Sequence, residues 1–513
     1  MRAALEEKNP GTIAVPPAVV RLLKVAILAS SLFVLTRNLH GRIDGEHFWR
    51  QTHVAANIER FCELGLSLRP TTYNRDAPVL VFDFPAYELL ASTIALRFGT
   101  DPLWTARLVN VLLFVASFLV VENLLSSTGI GAISSLSCLL VFAMAPLDLH
   151  YFRAPIPDCL AIFLGLLSLA AFVRWEEKQG RLAFFVMVLS GALCTFVKNP
   201  VYLPIPIAIF WVAARRKGLL RSPALLSYFV AIGAAVVVFK LYSNHVNGIG
   251  SFLSPRESAE YFWTVHDRLR LKFWAPIFAT VLTRGGGPLV LALGLLGGLF
   301  YALRAPGPSG SLYVGLGLGS LATLVIFFDK YNAHSYYCLP LVFPLAFFAG
   351  EALEALASFL KRRLGWAALV TVLVVFLGAT TVSTIQGLRA MAEGSTAELA
   401  AAGDWIQVRT HPDDFVLYLL PNDEGGWLPA FLYFAKREGY NLPVEQFGGT
   451  RLASLIARLN LGSRRLVVFC PSDLMTPLPR KLSTLTLLDT SPNIGSLLLL
   501  EPDVALRAPK GSP

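Results

Sequence analysis

Long apolar runs separated by short polar turns dominate the chain from residue 18 to residue 382. A helix needs roughly 20 apolar residues to cross the hydrocarbon core of a bilayer, and about eleven stretches approach that length. They fall at 18–36, 103–121, 129–147, 157–173, 182–197, 200–214, 223–241, 286–303, 312–328, 337–356 and 364–382. The sixth carries Pro200, Pro204 and Pro206, each of which removes a backbone donor and bends a helix; neighbouring spans in a membrane bundle satisfy the carbonyls so freed. The first run, Val15 to Leu35, is followed by no small-residue cleavage site, so it reads as a retained first span and not as a signal peptide.

Beyond residue 382 the pattern changes. Asp414 to Leu420, Arg465 to Cys470, Leu482 to Leu488 and Ile494 to Leu500 are short apolar runs of strand length. Pro429 to Glu438 and Arg451 to Leu459 have helical spacing, with Gly439 and Gly462 as stop signals. The expected architecture is an all-α polytopic membrane domain at 1–382 and a small α/β domain at 383–513. The first long loop, 37–102, carries two interfacial helices. One follows Asp44, with Trp49 as its anchor and a polar face of Asp44, Glu46, His47, Arg50, Gln51 and His53. The other starts at Pro85 and stops at Gly99.

Composition agrees. Hydrophobic residues make up 55% of the 513 and charged residues only 15%, with a mean hydropathy of +0.58; soluble domains carry about 25% charged residues. Disordered chains, disulfide scaffolds and ordinary soluble enzymes are excluded. The six cysteines are scattered without CxxC spacing, so neither a disulfide framework nor a zinc site is expected. No GxGxxG or Walker sequence occurs, which argues against nucleotide-driven chemistry. The net charge of +10 reads as membrane topology, with no nucleic-acid partner implied. Arg174 to Arg181, Arg215 to Arg221, Arg304 and Lys361 to Arg363 fall on one side with Arg2 and Lys8. That side is cytoplasmic by the positive-inside rule. The long loops at 37–102 and 242–285 and the C-terminal domain are then extracytoplasmic, in a multi-pass protein of the inner (plasma) membrane.

Four separated segments carry a resemblance. They are Trp49-Arg-Gln51, Phe84-Pro-Ala-Tyr-Glu88, Tyr151-Phe-Arg-Ala-Pro-Ile-Pro-Asp158 and His334-Ser-Tyr-Tyr-Cys-Leu-Pro340. With Leu432-Tyr-Phe-Ala-Lys-Arg-Glu-Gly439, they resemble the GT-C superfamily of membrane glycosyltransferases over residues 18–440. The likeness is to the dolichyl-phosphate-mannose protein mannosyltransferase-like branch, which includes bacterial lipid A aminoarabinose transferases. It implies a polyprenyl-phosphate-linked sugar donor and inverting transfer outside the cytoplasm. The acceptor would be an envelope glycan, lipopolysaccharide, another lipid or a protein. It also implies an acidic residue after the first span, where this chain has Asp44-Gly-Glu46, and a second acid matched by Asp158.

Transfer to a hydroxyl needs a base within reach of the acceptor proton and cations that stabilise the departing phosphate. Asp44 suits the base, or else caps the helix after it. Glu46 is the other carboxylate, or an i,i+4 partner of Arg50. Arg50, Gln51 and Arg153 are candidates for phosphate or sugar contacts, Arg offering a planar fork of donors. Asp158 orients Arg153, holds a divalent cation, or sits at its helix start as a cap. Asp83 and Glu88 line the acceptor path, with helix capping as the plainer role for Asp83. Lys198 ends an apolar run and is a phosphate-binding candidate, snorkelling being the alternative. His334 and Tyr337 enter a late span, where tyrosines also form aromatic belts. His47 and His53, six residues apart, do not share a helical face and make no metal pair. Two other functions fit the same composition: a transporter or flippase, against which the clustering of polar residues in loops argues, and a polymerase or ligase of envelope glycans.

Overall fold

A computed structural model describes residues 15–74, 83–216, 218–247, 268–303, 308–392, 396–420, 430–447, 449–459, 461, 464–474, 485–491 and 494–500. The N-terminal basic residues Arg2 and Lys8, together with Arg304 and much of the loop 242–285, lie outside these ranges. The elements run α1 (Pro17–Thr36), α2 (Phe48–Leu64), α3 (Ala86–Phe98), α4 (Pro102–Ser127), α5 (Ala132–Met144), α6 (Pro146–Tyr151), α7 (Asp158–Lys178), α8 (Arg181–Val197), α9 (Asn199–Tyr202) and α10 (Pro204–Arg215). They continue with α11 (Pro223–Asn247), α12 (Leu271–Arg284), α13 (Pro288–Leu303), α14 (Pro308–Ile326), α15 (Phe328–Ala333), α16 (Leu339–Leu364) and α17 (Trp366–Ala392). The chain ends with α18 (Ala397–Arg409), β1 (Phe415–Leu420), α19 (Ala430–Ala435), β2 (Gly439–Pro443), α20 (Gly449–Leu459), β3 (Leu466–Pro471), β4 (Leu485–Ser491) and β5 (Gly495–Leu500).

The chain divides into two compact units. The first comprises Met1–Gly41, Phe82–Tyr87 and Trp104–Met391; the second comprises Arg42–Val81, Glu88–Leu103 and Ala392–Pro513.

The first unit is helical and holds the largest apolar core, with Phe114, Phe142, Phe152, Tyr313 and Phe347 at its centre. Every apolar run expected to span contains a helix, but eleven full-length spans are not shown. Among the described residues six helices are long and apolar enough to cross a membrane: α1, α4, α7, α11, α16 with the turn before it, and α17. A seventh span results if α12 and α13 are taken together, although they bend by 108°. That bend falls on Gly285-Gly-Gly287-Pro288, with Gly286 and Gly287 at positive φ, a backbone that only glycine adopts without strain. The remaining apolar helices, in α5, α8, α10 and α14, are only 10–17 residues long in their apolar parts. At 1.5 Å per residue a 13-residue helix such as α5 reaches about 20 Å, less than the hydrocarbon thickness of about 30 Å. Close helix contacts depend on small residues. A Cβ on Gly315 would fall 2.9 Å from the Ala208 Cα, and one on Gly319 would fall 2.6 Å from the Pro204 carbonyl oxygen. This Gly-x-x-x-Gly face therefore lets α14 lie against α10 at backbone distance.

The second unit contains a mixed five-stranded sheet of order β2-β1-β3-β5-β4. β2, β1 and β3 are mutually parallel, and β5 runs antiparallel to both β3 and β4. Alternate residues serve opposite faces. Val416, Val467 and Phe469 join Ile406, Phe431 and Leu432 on one side. Phe415, Leu417, Val468 and Cys470 join Leu452, Leu455 and Ile456 on the other. Sequence reasoning anticipates β1, β3, β4 and β5, although 482–484 lie outside the described residues, and it misses β2. Gly439, read as a stop signal, is the first residue of that strand. Its α-carbon approaches β1 so closely that a Cβ would stand 2.1 Å from the Val416 carbonyl oxygen.

Helix α2 forms where expected, but its polar side chains are not solvated. Arg50, Gln51, Thr52, His53 and Asn57 are buried together with Val54, Ala55 and Ile58.

Candidate active site

Lys198 organises the polar centre of the first unit. It follows the last residue of α8, in extended backbone, and its N–H donates to the Cys194 carbonyl at 2.8 Å. That geometry turns the side chain away from the apolar helix instead of extending it to water, and it is only 2% exposed. Its Nζ lies 3.1 Å from the Asp83 Oδ2 and 3.6 Å from the Asp158 Oδ1. The same ammonium stands 5.1 Å from the ring centres of both Tyr336 and Tyr337. A cation at that distance is attracted to an aromatic face.

Each partner has a local reason for its position. Asp158 is completely buried and is the first residue of α7, preceded by Pro155-Ile-Pro157. The helix dipole favours its negative charge there. Asp83 is held by its neighbour: the Phe84 N–H donates to the Phe196 carbonyl at 3.3 Å, and the two phenyl rings lie 5.6 Å apart. The tyrosines sit on a single 3-10 turn, Ser335–Cys338. The Tyr151 and Ser335 hydroxyls are 2.6 Å apart, and the Tyr151 ring meets Tyr336 edge-on at 5.9 Å. The His334 ring stacks on Tyr336 at 5.4 Å. Arg153 is half-buried in the turn after α6.

Of the residues singled out from sequence, the fold thus brings together Asp83, Asp158, Lys198 and Tyr337, with His334 alongside through Tyr336. Two members escaped sequence reasoning. Lys330, on α15, lies close enough to Lys198 that burial and the like charge push its ammonium down to about 8. Asp148, on α6, is buried, its Oδ2 lacks a hydrogen-bond partner among the described residues, and burial pushes its carboxyl well above the usual range. A lysine in a short polar turn and an aspartate inside an apolar run were the available signals.

The remaining candidates belong to the second unit. Asp44 is exposed; its Oδ1 accepts from the Gly45 N–H at 2.7 Å and the Thr396 N–H at 3.3 Å. The Thr396 hydroxyl donates to the Ile43 carbonyl. Glu46 lies 3.6 Å from His47. Gln51 Nε2 donates to the carbonyls of Glu46 at 3.1 Å and Asp44 at 3.4 Å, so Gln51 shapes the acidic turn it follows. Burial, with the charge of Arg50, pushes His53 down to about 3, which keeps it neutral. Glu88 is buried.

The donor set was tested for a divalent ion. Among the described residues no group of three His, Cys, Asp or Glu side chains converges. Asp83 and Asp158 close on the Lys198 ammonium, the place a cation between them would take. The described residues therefore do not fit a divalent ion there.

No family model and no curated protein matches the sequence. Solved structures do match in fold. ArnT from Cupriavidus metallidurans, bound to undecaprenyl phosphate, superposes with a TM-score of 0.62 at 16% identity, covering 93% of this chain and 97% of that one. The Archaeoglobus fulgidus oligosaccharyltransferase matches with a TM-score of 0.56 at 12% identity, over 90% of this chain and 71% of that one. The mycobacterial arabinofuranosyltransferase AftD matches at 0.59 and 17% identity, over 94% of this chain but only 40% of its own length. Over at least nine-tenths of its length, the chain shares its fold with these three membrane proteins.

Proposed function

We propose that the protein is an integral membrane glycosyltransferase that moves a sugar from a polyprenyl phosphate carrier to a hydroxyl acceptor on the extracytoplasmic face. The observation that carries this reading is Lys198, buried and held between Asp83 and Asp158 beneath two tyrosine rings. Burying ions is unfavourable by several kcal/mol each, and ionisable groups within a membrane bundle mark functional sites by default. The fold match to ArnT bound to undecaprenyl phosphate supports a lipid phosphate as the anion that Lys198 receives.

In this reading the acceptor hydroxyl attacks the anomeric carbon and gives its proton to a carboxylate. The bond from that carbon to the phosphate oxygen breaks, and the electron pair leaves with the polyprenyl phosphate. Lys198 stabilises the charge that grows on the leaving group, with Arg153, His334 and Tyr337 of the same unit as further phosphate or sugar contacts; Arg50 and Gln51 are proposed as such from the sequence resemblance alone. Attack opposite the leaving group inverts the anomeric centre. From the sequence resemblance the base is Asp44, whose Oδ1 accepts from two backbone N–H groups, and Glu46 is the second carboxylate. Asp83 and Glu88 serve the acceptor side. The acceptor class is a glycan, lipid or protein of the envelope, and the protein sits in the plasma membrane with its C-terminal sheet outside.

The test is transfer of labelled sugar from a panel of polyprenyl-phosphate sugars by purified protein. The reading requires transfer that Asp44→Asn or Lys198→Met removes while the protein stays folded. Movement of a solute into liposomes with no such donor would replace it with a transporter.

A further inference from the structure

A cavity of about 910 Å³ opens in the second unit, near the upper end of the 300–1,000 Å³ typical of small-molecule sites. Its location follows from strand direction. Because β2, β1 and β3 are parallel, the residues just before each strand meet along one edge: Lys436 and Glu438 before β2, Asp414 before β1, and Arg464 and Arg465 before β3. Tyr73 and α2 supply the opposite wall. Parallel sheets ordinarily bind ligands at their carboxyl ends, so this cavity is not the usual crevice of such a sheet.

The polar groups are fixed before any ligand arrives. Glu438 is held by Arg60 through one oxygen and by Arg464 through the other, at 2.6 Å. Asp414 is buried and takes two parallel bonds from Arg465, at 2.9 and 2.7 Å. Burial alone would raise its carboxyl, but those bonds and the His411 N–H outweigh it and hold the group below its usual range. The Tyr73 hydroxyl donates to Glu59 and Glu63. The carboxylates are thus engaged, whereas guanidinium capacity is left over. Among the described residues nothing accepts from Arg464 Nη2 or Arg465 Nη1, and the buried Arg60 Nε also lacks a partner.

The lining carries four carboxylates and four Lys or Arg cations, so it has no net charge to attract a polyanion. Its rigid N–H forks stand beside carboxylate lone pairs. A hydroxyl group accepts from the first and donates to the second at once, and adjacent ring hydroxyls present that pairing repeatedly. We infer that this cavity binds a hydroxyl-rich saccharide at the amino ends of β2, β1 and β3. The site is independent of the Lys198 cluster and does not rest on the transferase reading.

The experiment uses the full chain in lipid nanodiscs, which avoids sugar-headed detergents. Saturation-transfer NMR and calorimetry are run with neutral and uronic-acid tetrasaccharides and, separately, with inorganic phosphate. The expected result is tetrasaccharide binding that weakens at least tenfold in Arg464→Gln, where Glu438 keeps Arg60, and also weakens in the rim variant His411→Ala, which removes no buried pair. Unchanged melting of both variants would show that the loss is local. Failure of every tetrasaccharide to bind the wild type, equal binding by both variants, or phosphate binding as tight as saccharide would each overturn the proposal. Because no transfer is measured, none of these outcomes bears on the donor reaction.

Discussion

Two clusters of charge in this molecule obey different physics. In the first unit, Lys198 and Asp158 are 2% and 0% exposed in their side chains, and two carboxylates share one ammonium. In the second, Arg42 and Asp404 pair at 2.7 Å with side chains 63% and 47% exposed. Water screens the second pair, so it holds little free energy. The first cluster has lost its hydration, and each charge depends on its partners. The proposed lipid phosphate would account for an arrangement that costly to bury, whereas the exposed pair needs no such explanation.

The sharpest way to break the contrast is Lys198→Met. It leaves Asp83 and Asp158 without their cation, a change of about 3–5 kcal/mol for a buried pair, and transfer should fall by about 10²–10³-fold, as when a charge-stabilising donor is removed. Adding Asp83→Asn and Asp158→Asn to that variant should restore much of the melting temperature and none of the activity. Recovery of both would show that the lysine serves folding alone.

Next in size is the loss at Asp414. Asp414→Ala removes the partner of Arg465 and the acceptor of the His411 N–H, and should destabilise the second unit by about 1.5–3 kcal/mol, the range for charged hydrogen bonds. Because its folded pKa is lowered, the stability that Asp414 contributes is present above its unfolded pKa. It is lost as pH falls through the lower folded value. A chemical-denaturation series across the acid range should show this slope in the wild type and not in the variant.

A subtler effect comes from Lys330. Its folded pKa of about 8 lies below the ordinary lysine value of 10.5, so between those values the unfolded chain holds more protons than the folded one, and stability rises with pH. Lys330→Met should abolish that rise. Lys198→Met, by removing the like charge, should move its onset upward in pH. Smallest of all, Arg42→Ala should change stability by about 0–1 kcal/mol; a larger loss would erase the distinction between the two clusters.

The helices were legible because apolar runs in a membrane protein have no other stable conformation. Their lengths were not: the turn at Ala145-Pro146 ends a helix inside the run 129–147, and α12, before Gly285-Gly-Gly287, falls in a stretch that hydropathy reads as loop. Lys198 could be singled out as a charge closing an apolar run. Its pairing with Asp83, 115 positions away in sequence, could not, because nothing local distinguishes a partner from a helix cap. Lys330 offered only its place in a short polar turn, because the fold alone brings it near Lys198. The burial of Arg50, Gln51 and His53 on α2 was not legible, because periodicity identifies a distinct face without saying what covers it. In the second unit, short apolar runs marked β1 and β3, whereas β2 was hidden by a glycine that punctuates sequence elsewhere but here permits strand contact.

The central claim is that the buried lysine cluster receives the phosphate of a polyprenyl carrier. Native mass spectrometry of the full chain with undecaprenyl phosphate tests it most directly, comparing the wild type with the Lys198→Met/Asp83→Asn/Asp158→Asn variant at matched melting temperature. The account predicts a one-to-one lipid adduct on the wild type that the triple variant loses. An adduct of equal strength on both would contradict it.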